Sequence, residues 1–304
     1  MNIFDIILKK CMGCRKGECL LILCDEKRKV LAEKFFRAAQ GSGSEAIFML
    51  MREREAHGEE PPAAAAAALK NADVAVLLTS KSLSHTKARK AACRESGTRI
   101  ASLPGVTEEM LKRSIPIDYD LMRRKARRLS GILTKARKID IHTDRGTSLT
   151  MSVSGRRGFA DDGLYRKRGA FGNLPAGEVC IAPLEGTANG RLVVDGSMPL
   201  TGRLKRPIEI MIKDGYARNI PVAKMAPLVR SLGKRALNVA ELGIGLNPRA
   251  RVTGNVLEDE KAAGTAHVAL GNNVSFGGIV SCPSHLDFVL FDPVITIDGV
   301  RLRF

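Results

Sequence analysis

Residues Glu258–Asp287 read EDEKAAGTAHVALGNNVSFGGIVSCPSHLD. Two apolar runs, TAHVALG around His267 and HLDFVLF from His285, have the length and β-rich composition of strands. Residues two apart on a strand point to the same face, so His285 and Asp287 can reach one point. The chain holds only five His. Two of them with one carboxylate in this short stretch point to a metal ion, against the plainer alternative of hydrogen-bonded structural histidines.

Working outward, Glu178 in NLPAGEVCIAP and Glu241 in NVAELGIGLN stand isolated among apolar and Gly residues. A carboxylate at the entrance of an apolar strand needs a partner, because burying it unpaired is costly. A divalent ion is one partner and a salt bridge is another. Glu178, Glu241, His267, His285 and Asp287 together can hold two ions if a carboxylate bridges them. Such a pair lowers the pKa of a bound water and polarises a carbonyl, which is hydrolase chemistry. His267, His285 and Asp287 alone make the two-histidine, one-carboxylate set of a non-haem iron(II) oxygenase. The donor types accept zinc, cobalt, manganese or iron.

The rest of the chain divides by texture. Strand-like runs at Glu18–Asp25, Ala46–Met51, Asp73–Thr79 and Arg99–Ser102 alternate with helical stretches at Lys29–Gln40, the alanine-rich run to Lys70, and Thr86–Ser96. The run DVAVLLT shows no alternation, as a parallel strand covered on both faces would read. This predicts an α/β fold with a Rossmann-like open sheet over residues 1–115. No G-x-G-x-x-G or P-loop follows any strand, which argues against a dinucleotide or nucleoside triphosphate. Ligands in such sheets gather beyond the carboxyl ends of the strands, so Ser84, His85 and Thr86 are candidates there, or else simply cap the next helix. A basic connecting helix is expected over 116–138. Residues 139–304 should form a β-rich α+β metal-binding catalytic domain, opening with a hairpin at IDIHTDRGTSLTMSVSG.

The 304 residues carry a formal charge of +17, yet aromatics are 4% with no Trp, and no nucleic-acid motif is visible. A solvated basic face along Met122–Lys138 is the favoured reading over a nucleic-acid partner. Seven Cys at scattered spacing suit a reduced protein. Cys11, Cys14, Cys19 and Cys24 have spacing open to zinc or an iron–sulfur cluster, but CLLILC looks like a buried strand with small apolar thiols. No long apolar run and no basic n-region are present, so a cytoplasmic location without a membrane span is expected.

The phrases NLPAGEVCIAP, AELGIGLN, EDEKAAGTAHVALG and HLDFVLFDPVITIDG resemble the metal-binding signature of the aminopeptidase T family of metallo-aminopeptidases. The resemblance is strongest over residues 173–300. It implies a homodimer that removes N-terminal amino acids from small peptides with two zinc or cobalt ions on Glu178, Glu241, His267, His285 and Asp287, with Glu178 handling the proton. Val274 stands where that family carries a catalytic Tyr. The chain is also similar to the 2,5-dihydroxypyridine 5,6-dioxygenases, which share this scaffold. That implies one iron(II) on His267, His285 and Asp287, a small-molecule substrate, and His85 as acid or base. The peptidase is the leading expectation because all five ligands persist, with the dioxygenase second. A basic nucleic-acid-associated protein without catalysis is the third.

Overall fold

The computed structural model describes residues 2–218 and 220–304. They form two compact units, one of residues 1–119 with 163–176, the other of 120–162 with 177–304.

The first unit is a five-stranded parallel sheet, the expected open α/β architecture. Its strand order is Glu45–Met51, Cys19–Asp25, Val74–Leu78, Arg99–Ser102 and Phe171–Asn173. The continuous apolar runs Leu20–Cys24 and Val74–Leu78 are buried throughout, as strands covered on both faces must be. The helix Lys29–Gly41 turns Ala32, Phe35 and Ala39 inward and leaves Val30 71% exposed. Thr86 caps the helix Lys87–Ala91 by accepting from the Arg89 amide at 3.2 Å, the capping role weighed for it above.

Two expected boundaries shift. The short strand Phe171–Asn173 pairs with Ile100–Ser102 and returns residues 163–176 to the first unit. The basic helix runs Tyr119–Lys135 and joins the second unit rather than standing as a separate connector over 116–138. It buries Met122, Ala126, Leu129 and Leu133 and leaves Arg124, Lys125, Arg127 and Arg128 exposed. That spacing of apolar residues supplies a helical stripe, so the segment has a core to pack on. Lys138, expected at the helix end, begins the strand Lys138–His142.

The second unit is β-rich and antiparallel. One seven-stranded sheet includes the expected hairpin, Lys138–His142 with Ser148–Ser152. A five-stranded sheet runs in the order His285–Phe291, Thr265–Gly271, Val239–Gly245, Glu178–Ile181 and Phe159–Asp161. This second sheet carries the ionisable cluster. Among the described residues no helix is long and apolar enough to cross a membrane.

Candidate metal centre

Register places the cluster. Glu178 pairs with Gly245, Gly243 pairs with both Cys180 and His267, Glu241 pairs with Ala269, Ala269 with Asp287, and Gly271 with His285. Directly paired residues share a face, and so do residues two apart. All five expected ligands therefore stand on one face of one sheet, although they come from four strands. The two glycines let other groups lie directly against the centre of that face. A Cβ on Gly243 would lie 2.0 Å from Cε1 of His267, and a Cβ on Gly245 would lie 2.0 Å from the Ala262 carbonyl oxygen. The spacing E-x-G-x-G of Glu241, Gly243 and Gly245 is the sequence mark of this arrangement.

The side chains meet accordingly. His267 Nε2 is 3.6 Å from both Glu178 Oε2 and Glu241 Oε1. His285 Nε2 is 3.3 Å from Asp287 Oδ1 and 3.1 Å from Glu241 Oε2, the latter without hydrogen-bond alignment. Nδ1 of His285 is 2.8 Å from the Asn272 carbonyl oxygen, which fixes that nitrogen as the donor and turns Nε2 to the carboxylates. Phe276 lies beside the His285 ring, centroids 5.5 Å apart.

Two further site residues are invisible to motif reading. Residues 258–263 cross over the sheet, pinned by Asn247, whose amide donates to the Lys261 carbonyl at 2.8 Å and whose carbonyl accepts from Ala263 at 3.0 Å. Glu258 and Asp259 are consumed in holding this crossing, accepting from the amides of Arg251 and Thr253 respectively. Glu260 and Lys261 turn to the cluster instead. Lys261 is 1% exposed, and its Nζ lies 2.6 Å from Glu178 Oε1 and 2.5 Å from Glu260 Oε1. Among the described residues, Glu178, Glu260 and His267 are the three potential ligands whose donor atoms lie within 4.8 Å of one another. His267, His285 and Asp287, expected as a triad, do not close to that mutual distance, and Glu241 stands between the imidazoles.

The electrostatics follow from crowding four carboxylates around two imidazoles under burial. Burial works against a charged His267, but neighbouring Glu241 and the charges of Glu178, Asp287 and Glu260 outweigh it and hold its pKa up to about 9. His285 is raised well above its ordinary value, burial again being overcome by Asp287 and Glu241. Burial would lift Glu241, yet the two facing imidazoles hold it below the usual carboxylate range. Glu260 is pushed up to about 8, by burial and by Glu178 and Asp287, against the pull of Lys261. Burial would favour a neutral Lys261, but Glu178, Glu260 and Asp161 keep it an ammonium. Burial and the charges of Glu241 and Glu178 drive the Cys180 thiol well up, so it stays protonated beside Glu241.

The residues fit a divalent ion. Glu178 Oε2, Glu241 Oε2 and His267 Nδ1 are buried without a hydrogen-bond partner. Buried groups of this kind carry a desolvation penalty that a cation would offset. A cation taking the place of the imidazole protons would satisfy the same oxygens. His85, the other expected catalytic residue, is exposed in the first unit, on the turn ahead of the helix Lys87–Ala91. The four cysteines Cys11, Cys14, Cys19 and Cys24 form no such ligand group among the described residues.

Residues 1–302 match the family described as NicX, 2,5-dihydroxypyridine 5,6-dioxygenase. No curated protein matches the sequence. Among solved structures, the 2,5-dihydroxypyridine dioxygenase from Pseudomonas putida KT2440 is similar with a TM-score of 0.80 and 22% identity, over 98% of this chain and 93% of that one. AmpT from Thermus thermophilus is similar with a TM-score of 0.69 and 16% identity, over 99% and 96%. At these identities the structural likeness is one of fold.

Proposed function

Because the chain belongs to the 2,5-dihydroxypyridine 5,6-dioxygenase family, we propose that it is a metal-dependent dioxygenase that opens a hydroxylated, pyridine-type aromatic ring. Both oxygen atoms of O2 enter the product across one ring carbon–carbon bond, so no outside reductant is needed. The reading replaces the aminopeptidase expectation, which the family match does not favour. Val274, at the position of the peptidase tyrosine, is 50% exposed on the turn Val274–Phe276 and offers no hydroxyl.

The observation that carries the reading is the setting of His285. Its Nδ1 is committed to the Asn272 carbonyl, and its Nε2 faces Asp287 and Glu241 on the sheet face that also presents His267. Two imidazoles and a carboxylate are the donor set of non-haem iron(II) oxygenases. Iron(II) on His267, His285 and Asp287, which an ion would have to draw closer together than they stand around Glu241 here, would supply oxygen activation and a Lewis-acid grip on a ring hydroxyl.

The chain's own groups do the rest. Glu241 lies between the two imidazoles and balances their charge. The Phe276 ring shields one side of His285 from water. Iron as the metal and a homodimer as the working form belong to the same proposal.

Oxygen uptake tests it. The purified chain reconstituted with iron(II) should consume oxygen on addition of 2,5-dihydroxypyridine and should lose most of that rate in His285→Ala. Release of an aminoacyl chromophore with zinc or cobalt, and no oxygen uptake with iron, would reverse the assignment.

A further inference from the structure

The geometry points to the Lys261 ammonium as a built-in substitute for a second divalent cation, so that this chain holds one metal ion where its ligand set has room for two. The inference deepens the single-metal reading above and rests on the metal assignment, but not on the identity of the substrate.

Seven polar side chains share this part of the sheet: Glu178, Glu241, Glu260, Lys261, His267, His285 and Asp287. They fall into two groups. Glu241, His285 and Asp287 gather at one end, with His285 Nε2 within 3.3 Å of both carboxylates. Glu178 and Glu260 gather at the other, and His267 faces both ends, 3.6 Å from Glu178 and from Glu241. The second group has the donor types and closeness of a cation site, with its ligand atoms mutually within 4.8 Å. A cation is already part of that group. The Lys261 Nζ sits 2.6 Å from one Glu178 oxygen and 2.5 Å from one Glu260 oxygen.

This lysine is fixed in place. It is 1% exposed. Its amide donates to the Glu258 carbonyl at 3.0 Å, and its own carbonyl accepts from Asn247 at 2.8 Å. The segment lies against the sheet because Gly245 has no Cβ to hold it off, the Ala262 oxygen standing 2.0 Å from where one would be. A long lysine stem on a free surface could swing aside for an incoming ion. Here the backbone on both sides is pinned, and the ammonium would be left beside a second like charge.

The chemical consequence is a choice of reaction class. An ammonium neutralises a carboxylate pair as a metal does, but it has no open coordination position. It neither lowers the pKa of a bound water to near neutrality nor polarises a carbonyl as one of two ions in a pair. Glu178 and Glu260 are thereby spent on charge balance and withdrawn from metal-pair hydrolysis. Lys261 is a specificity-determining residue in this sense, acting on how many ions the site accepts.

Metal stoichiometry is the readout, with manganese(II) or zinc alone and no substrate. Native mass spectrometry and elemental analysis after gel filtration should give one ion per chain for the natural protein and for Lys261→Arg. Lys261→Ala should bind a second ion at least about 100-fold more tightly than the natural protein does, the scale expected when a like charge is removed from a buried site. If Lys261→Ala does not fold, Lys261→Gln carries the same test, since its amide can still donate to a carboxylate. Two ions bound with Lys261 in place, or a single ion in the neutral variants, would overturn the inference. A failed oxygen-uptake assay with one ion bound would instead sink the dioxygenase reading and leave Lys261 its role.

Discussion

Cys11, Cys14, Cys19 and Cys24 and the set Glu178, Glu241, His267, His285 and Asp287 are the two concentrations of metal-binding side chains in this chain, and they meet different fates. The cysteines lie within fourteen consecutive positions, yet they form no ligand group among the described residues. The second set spans more than a hundred positions and shares one sheet face. Strand parity explains the contrast. Cys19 and Cys24 sit on one strand at an odd separation and so point to opposite faces. His285 and Asp287 are separated by two, as are Glu241, Gly243 and Gly245, and antiparallel pairing aligns these steps across four strands. Closeness in sequence predicts a site less well than agreement of parity and register.

The largest effect that would break this comparison is loss of a ligand from the sheet face. His285→Ala or Asp287→Ala should weaken metal binding by more than about 100-fold, beyond what loss of an outer hydrogen bond typically costs. Titration calorimetry with zinc would read it. Binding unchanged in both variants would remove the sheet face as the metal site.

Much of this was legible in the residues, and what was not has a physical cause. The first sheet could be read because strands buried on both faces are unbroken apolar runs, as in CLLILC and VAVLL. The five candidate ligands stand out because charge and imidazole are rare in buried strands. Phe171–Asn173 escaped because three residues carry no periodicity, and its place comes only from pairing with Ile100–Ser102. Glu260 and Lys261 escaped because EDEK has the composition of a solvated run. The bonds from Asn247 that draw this segment across the sheet are tertiary, and nothing local announces them.

A smaller effect would sharpen the role of the side-chain-free backbone under the His267 ring. Gly243→Ala adds only one methyl group, but at 2.0 Å from the His267 ring it cannot be accommodated without displacing the imidazole. We expect about 10- to 100-fold weaker metal binding, on the scale of lost ligand orientation, with a stability loss of about 1–3 kcal/mol from overpacking. Parallel metal titration and thermal melts separate the two. Full metal affinity in a folded variant would show that the face tolerates a Cβ there.

Smaller again is the effect on the segment between His267 and His285. Glu185 Oε1 accepts from the Asn273 side chain at 2.8 Å and from the Ile279 amide at 2.9 Å, and its other oxygen pairs with Arg156. Burial would raise the Glu185 pKa, but these donors and Arg156 hold it below its ordinary value. A carboxyl depressed on folding contributes its stability above its unfolded pKa and loses it as pH falls through the folded one. Glu185→Gln should therefore cost about 1–3 kcal/mol at neutral pH, the scale of hydrogen bonds to a charged group. The difference from the natural protein should shrink on acidification below about pH 4. Denaturant melts at neutral and acid pH read this, and a gap that widens in acid would contradict it.

The smallest expected effect lies in the cysteine-rich stretch and tests the comparison from the other side. Burial drives the Cys14 and Cys24 thiols up to about 12, so neither offers a thiolate at neutral pH. Cys14 and Cys19 are only partly buried, so replacing both with Ala removes little packing. The double variant should keep its metal content unchanged within error and melt within a few degrees of the natural protein. A metal content lowered by a whole ion per chain would show that these thiols bind metal although they form no ligand group in the structure. The rule that register outranks spacing would then fail in the chain that suggested it.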